Sequence, residues 1–446
     1  MTTSISSECF MSNLNLFDKP VTNTSILDNK QVTYFPNTPI NDDSPIEFNI
    51  NSPDYTDLQD HYVRMVMEVV RKDGTEMSDA DNGKVVVVPL PGNSMFSSVE
   101  NYLNGTLVNH ANSAYGYRCF LETLATYGAS DTTGLLSLSV YYPDHHSKHQ
   151  ALNAMFVDNN GLARRRSLTL GGPFECICRL HLDLFQQPRL LLPYVTNRVR
   201  LYRSKGGFPL ICTQDTKNTY KLVLREISLT IKHVMVSPFI NNAHKLLLQN
   251  KNACYPILRT EIKSFTVPSG VNSFNQDNLF LGRLPLKVII GLVKAKAYDG
   301  SSEHHPYQFV HAYVNKIALF CNGEIVNSTP YQPDFGSDTH KANKYGREYL
   351  LSLFQTTNQM WSNNSGFSMG LFDYKEGFTL FGFNLSPSGY SSCTDSVIEG
   401  HKHGTVRIDI GFAKDLPEAH TLIIYAEYNA SIEVNKTREI LIDYTP

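Results

Sequence analysis

The sequence predicts an all-β chain organised as two β-sandwiches or barrels with short helical insertions, and three observations lead there. First, the stretch Cys176–Arg203 carries two runs with the period-two alternation of strands that bury one face. In one, Ile177, Arg179, His181 and Asp183 alternate with Cys178, Leu180, Leu182 and Leu184; in the other, Val195, Asn197, Val199 and Leu201 alternate with Thr196, Arg198, Arg200 and Tyr202. Pro188 and Pro193 bracket the connection, so the runs read as neighbours facing each other across a turn, with arginines on the wet face. Second, runs of this kind recur along the whole chain, separated by Gly, Pro, Asn and Asp clusters. Third, 24 Tyr and 24 Phe suit a pleated, half-buried surface, and 446 residues exceed one ordinary core but suit two of roughly 200 residues each.

In chain order, residues 1–45 are polar and proline-spaced and read as an N-terminal arm, too poor in apolar residues to build a core. Residues 46–237 form the first domain. Its strands include Ile46–Ile50, Tyr62–Val70 and Tyr220–Val236, and Asn104-Gly105 marks a tight hairpin because both central positions favour positive φ. One helix is expected over Ala114–Tyr127, where Tyr117, Phe120, Leu121 and Leu124 recur at helical spacing, with Gly128 as its stop. Pro238 and the polar Asn241-Asn242 interrupt the strands, which places a linker at residues 238–254. Residues 255–437 form the second domain, with strands at Tyr255–Val267, Pro285–Lys294, Tyr313–Val326, Gly377–Leu385, Thr405–Phe412 and His420–Val434 and a helical turn at Arg347–Phe354. Residues 438–446 are left as a tail.

Composition excludes several functions. A net charge of −3 argues against a sequence-independent grip on nucleic acid, which needs a basic face to displace counterions. No apolar run reaches the roughly 20 residues of a spanning helix, and the N-terminus has no basic start followed by an apolar stretch, so neither a membrane span nor a secretory signal is expected. The eight scattered cysteines read as reduced thiols of an intracellular setting.

The chemistry-bearing clusters each have a simpler structural reading. Asp144-His145-His146 with His149 offers zinc ligands only if a further group arrives from elsewhere; otherwise it is a solvated loop after Pro143. His304-His305 and His401-Lys402-His403 have weaker claims of the same kind. Cys176-Ile177-Cys178 lacks the spacing of a redox or zinc motif and reads as a buried pair. His181 and Asp183 share a strand face, but no nucleophile is placed to complete them, so they read as polar sheet surface. Gly171-Gly172-Pro173 and Gly206-Gly207 are turns without phosphate-loop context. Arg164-Arg165-Arg166 reads as a solvated turn more readily than as a contact to nucleic acid or to an acidic neighbour. No catalytic, cofactor-binding or metal-binding residue is assigned, and a non-enzymatic structural or binding protein is expected.

Particular words narrow this. LNLFDKPVTNTSI (Leu14–Ile26), SPIEF (Ser44–Phe48), ANSAYGYRCFLETLATYG (Ala111–Gly128), RLHLDLF (Arg179–Phe185), RLLLPYVTNRVRLYRS (Arg189–Ser204), NLFLGRLPLKVIIGLV (Asn278–Val293), GFTLFGFNLSP (Gly377–Pro387) and IIYAEYNASIEVNKTREI (Ile423–Ile440) span nearly the whole chain. Together they resemble the major capsid protein of Polinton/Maverick elements and the related adintoviruses. The resemblance implies a double jelly roll, two eight-stranded sandwiches side by side, with three chains closing into a pseudo-hexameric capsomer that tiles an icosahedral shell. It also implies homotrimer and neighbouring-trimer contacts, a minor capsid or penton partner, enclosure of DNA without strong sequence-specific binding, and residence in the virion after synthesis inside the host cell. Residues 1–45 would then lie inside, and the loops 73–84 and 143–150 outside or between subunits. The competing readings are a sugar-binding β-sandwich with loop aromatics stacked on sugar rings, and a metal-dependent enzyme on a cupin-like jelly roll using His145, His146 or His149.

Overall fold

The structure is a computed structural model that describes residue 16 and residues 22–109, 114–145, 159–204, 206–216, 219–335, 346–358, 369–388, 400 and 402–444. The first half contains strands β1 (Ile26–Tyr34), β2 (Ile46–Ile50), β3 (Tyr55–Arg71), β4 (Val85–Val87), β5 (Phe96–Leu103), β6 (Thr106–Leu107), β7 (Phe174–Cys178), β8 (Asn197–Arg203), β9 (Leu210–Cys212) and β10 (Tyr220–Val236). The second contains β11 (Ala253–Val267), β12 (Ser273–Arg283), β13 (Lys287–Lys294), β14 (Val314–Cys321), β15 (Glu324–Ile325), β16 (Leu380–Asn384), β17 (His403–Phe412), β18 (His420–Val434) and β19 (Ile440–Ile442). The longer helices are α1 (Tyr115–Thr126), α2 (Asn160–Leu170), α3 (Pro238–Leu247) and α4 (Arg347–Thr356).

The strand order identifies the architecture. In the first half one sheet runs β1-β10-β3-β7 and the facing sheet β2-β8-β5-β6; in the second half the sheets run β11-β18-β13-β16 and β12-β17-β14-β15. Setting aside the small β4-β9 pair and β19, which pairs only with β18, each half numbers its strands in the same way. Both then read 1-8-3-6 and 2-7-4-5, with antiparallel ladders throughout. That nesting of first with last strand is the jelly roll, and the chain is a double jelly roll.

Local chemistry explains the elements that the sequence foretold. In β8, Asn197, Val199 and Leu201 are buried while Arg198, Arg200 and Tyr202 are half-buried, as alternation requires. The β5–β6 hairpin turns on Asn104 (φ 46°) and Gly105 (φ 88°). Strand β18 is buried at every position from His420 to Ala430. Successive side chains of a strand point to opposite faces, so this strand is covered on both.

Five expectations are corrected. The two runs of Cys176–Arg203 do not face each other, because β7 pairs with β3 in one sheet and β8 with β2 and β5 in the other. The connection between them crosses from sheet to sheet, and Asp183–Gln186 is a short helical turn, not a strand. Ile26–Tyr34, within the range taken as an arm, is the edge strand β1, because it pairs with Leu229–Val236 of β10 along the edge opposite the one that β3 occupies. The linker range contains helix α3, where the Ser237 hydroxyl caps the Ile240 N–H and Pro238 sits in the first turn, a favoured start for a helix. In the tail range, Ile440–Ile442 pairs with β18. Strand β12 escaped notice because Asn278, at φ 52°, breaks its register between Gln276 and Phe280 and with it the alternation.

Candidate functional site at the seam between the sandwiches

Helix α1 belongs to both cores. Every residue from Tyr115 to Leu124 is buried. Tyr115 and Cys119 pack into the first core, and Tyr117, Phe120, Leu121 and Leu124 into the second. Phe120 stacks on Tyr307 with centroids 4.4 Å apart and planes within 3°, and Tyr117 meets Tyr298, Tyr307 and Phe309 at 5.7–6.4 Å. Offset and edge contacts of this kind add roughly 0.5–1.5 kcal/mol per pair beyond their buried area. The exchange is reciprocal: Tyr255, Ile257, Ala430, Ile432 and Val434 of the second half pack into the first core. There the Tyr255 hydroxyl accepts from the Leu192 N–H at 3.0 Å.

Two charged clusters bolt the same seam. In the first, Arg118 on α1 donates to Glu122 Oε1 at 2.8 Å and to Asp183 Oδ1 at 2.6 Å. His181 Nδ1 lies 2.6 Å from Glu122 Oε2, and across the seam the Thr260 N–H donates to Asp183 at 3.2 Å. Burial pushes Glu122 upwards, yet the Arg118 guanidinium and His181 outweigh it and hold the carboxyl at about 2. Burial prevails at Asp183, whose carboxyl is raised against the pull of Arg118, and whose Oδ2 finds no hydrogen-bond partner among the described residues. His181 and Asp183, expected on a polar sheet surface, are instead the edge of a buried ion cluster. The turn at Asp183–Gln186 rotates them inward to meet α1.

The second cluster centres on Asp144. Arg165 of α2 grips both its oxygens at 2.8 Å, while Arg165 Nε donates to the Val87 carbonyl at 2.9 Å and Nη1 to that of Tyr142. Asn159, the cap of α2, donates to Asp144 at 3.0 Å. His305 reaches over from the second half to place Nε2 3.0 Å from Asp144 Oδ2, and its Nδ1 accepts the Tyr307 N–H at 3.0 Å. A ring nitrogen that accepts a backbone N–H is unprotonated, so His305 is the neutral Nε2–H tautomer. Burial lowers its pKa despite the neighbouring carboxylate.

The arginine run is therefore not a solvated turn. It lies on a helix, and Arg165 is fully buried. Asp144, expected on an outward loop, is likewise buried and already held by Arg165 and His305. His146, His149 and His401 lie outside the described residues. Among the described residues no group of three or more His, Cys, Asp or Glu is arranged to hold a metal ion. A cleft of about 260 Å³ opens beside this cluster, lined in part by Tyr141, His145, Gly161, Asp373 and Phe378. Cys176 and Cys178 are buried in the first core, as a small apolar pair would be. Sequence reasoning missed Arg118, Glu122 and Arg165 as seam residues. The signal was present as charged residues on helices that otherwise bury every turn, and became readable only when their partners, remote in sequence, were known.

No helix among the described residues is long and apolar enough to cross a membrane. No protein-family model matches the sequence. A Caenorhabditis elegans protein described only as uncharacterised is 23% identical over 413 residues, covering 90% of this chain and 94% of that one. Among solved structures, a chain of the Sputnik virophage cryo-EM structure matches with a TM-score of 0.62 at 12% identity, over 99% of this chain and 94% of its own. The mavirus major capsid protein matches with a TM-score of 0.55 at 12% identity, over 100% and 97% respectively. The Faustovirus major capsid protein matches at 0.51 and 10%, over 94% and 92%. These likenesses establish the double jelly-roll fold.

Proposed function

We propose that this protein is the structural subunit of an icosahedral, DNA-enclosing shell of the Polinton/Maverick and adintovirus kind, and that three copies close into a capsomer of pseudo-hexagonal outline. The observation that carries the reading is the pair of sandwiches with identical strand order, locked side by side through interpenetrating cores. Two equivalent blocks held rigidly in one chain let three chains present six nearly equivalent lobes. A seam that flexed would blur that outline, so the investment of two ion clusters and an aromatic stack in one interface fits a tile better than a receptor or an enzyme. In this reading the residues before Ile26 are the arm, α3 joins the blocks, and a minor capsid protein fills the fivefold positions. The balanced charge suits a wall around DNA loaded by other proteins.

Closed threefold symmetry needs a heterologous contact, in which one side of a subunit meets a different side of the next, burying roughly 2,000 Å² or more if obligate. Light scattering of the purified chain after size exclusion tests this. Three times the chain mass, with three-lobed particles in negative stain, is the expected result. A monomer at concentrations of tens of micromolar would overturn the proposal.

A further inference from the structure

Helix α3 leaves its apolar side open. At about 100° per residue, Phe239, Ala243, Leu246 and Leu247 fall within an arc of about 100°. Phe239 is 82% exposed, Leu246 64% and Leu247 58%, and no residue of the helix is buried. The helix is held to the body from its other side, through the Tyr55 hydroxyl 2.8 Å from His244 Nδ1 and through Leu248, which packs on the first core. The end of the β1–β10 ladder adjoins it and adds the exposed side chains Ile26, Leu27 and Met235. A ten-residue helix is below the length that holds in water on propensity alone, and a contiguous exposed row of Phe and Leu marks an interaction surface.

The chain itself supplies a matching segment. Ser25 sits at the very start of α3, where its carbonyl accepts the Ser237 N–H at 2.9 Å, and the residues before it in sequence are joined to the fold there. Those residues carry Phe10, Met11, Leu14, Leu16 and Phe17, and Leu16 is 76% exposed. Within one copy, then, the helix row and Leu16 are both uncovered. The charges differ in sign, with Lys245 and Lys251 on or just after the helix, while Glu8, Asp18 and Lys19 around the apolar segment leave it a net charge of −1. From Phe17 to Ser25 the chain spans up to about 29 Å when extended, enough to leave its own subunit.

We propose that α3 is the docking site for the segment Phe10–Phe17 of a second copy, so that neighbouring subunits are tied together by an exchanged N-terminal segment. This rests on the self-assembly reading, and adds to it a named tether. The segment would lay its apolar side chains into the row Phe239, Leu246 and Leu247, and helix and segment would be ordered together.

The test places photoreactive p-benzoylphenylalanine at Phe239, an exposed position whose replacement leaves the cores untouched, in full-length chains mixed in isotopically light and heavy forms before assembly. Cross-links joining residue 239 of one chain to peptides within residues 1–21 of the other are expected. In parallel, deletion of residues 1–21 should speed amide exchange over residues 240–247 of the assembled protein by about tenfold or more. Trimers whose cross-links fall elsewhere, or only within one chain, or whose exchange is unchanged by the deletion, would overturn the tether and leave the capsomer reading standing. A protein that stays monomeric would remove both.

Discussion

Replacing Arg165 by Met tests whether the seam holds the two sandwiches together. Met keeps much of the apolar volume and none of the donors. Arg165 is fully buried, and its loss removes the two 2.8 Å bonds to Asp144 and the bonds to the Val87 and Tyr142 carbonyls. Asp144, with 1% of its side chain exposed, would lose its bidentate cation while the neutral donors Asn159 and His305 stay in place. Removing one partner of a buried ion pair costs about 3–5 kcal/mol, because the other charge stays desolvated. For a unit of about 200 residues each kcal/mol moves the melting temperature by about 2–4 °C, so Arg165→Met should melt about 6–20 °C lower. Scanning calorimetry at pH 7.5 reads this directly. Because Asp144 also holds His305 of the second half, the single endotherm should broaden or split as the sandwiches part. Adding Asp144→Asn to Arg165→Met removes the stranded charge and should recover more than about 1 kcal/mol, a coupling expected of direct neighbours. A loss below about 1 kcal/mol, or no recovery in the double variant, would refute the claim that this buried pair holds together the cluster on which His305 docks.

Acid should weaken the fold in a defined window. Burial lowers His61 to about 3 and His311 to about 4, and lowers His305 as well. Each ring nitrogen concerned accepts a backbone N–H, from Leu180, Tyr313 and Tyr307 respectively. The unfolded imidazoles, near 6.5, take up protons first, so stability is complete above about pH 6.5 and falls as the pH drops towards the folded values. Each histidine contributes up to about 1.4 kcal/mol per pH unit, about 4 for the three together (3 × 1.4), and urea midpoints that stay flat from pH 7 to 4.5 would contradict this. Gly161→Ala, in the first turn of α2, should reverse the usual helical gain from alanine. A Cβ there would meet the Pro143 carbonyl carbon at 2.8 Å and the Tyr142 oxygen at 2.9 Å, forcing backbone to move at a cost of about 1–3 kcal/mol. Gly171→Ala, where the nearest atom is at 3.4 Å, is the control, and equal melting temperatures for the two variants would discount the clash.

Much of the fold was legible because a strand with one buried face writes its period into the chain. Strands β8 and β10 and the Asn104-Gly105 hairpin follow directly from alternation and from the two residues that accept positive φ. Helix α1 was equally plain, since its apolar residues recur every three to four positions. Helix α2 was not, because the side chain it buries most deeply is Arg165, which no hydrophobic pattern registers. Helix α3 hid behind Pro238, which breaks a strand but opens a helix when Ser237 stands before it.

The amino-acid sequence by itself determined that the chain is built of two β domains and roughly where their strands lie, because these depend on spacing along the chain. Tertiary structure alone decided what His181, Asp183, Asp144, Arg165 and His305 are for. Whether a carboxylate sits in water or in a dry seam depends on partners 21 to 161 residues away, as Arg165 is 21 from Asp144, Arg118 is 65 from Asp183 and His305 is 161 from Asp144. Charge burial is a property of the neighbourhood, and the neighbourhood exists only once both sandwiches have closed on helix α1.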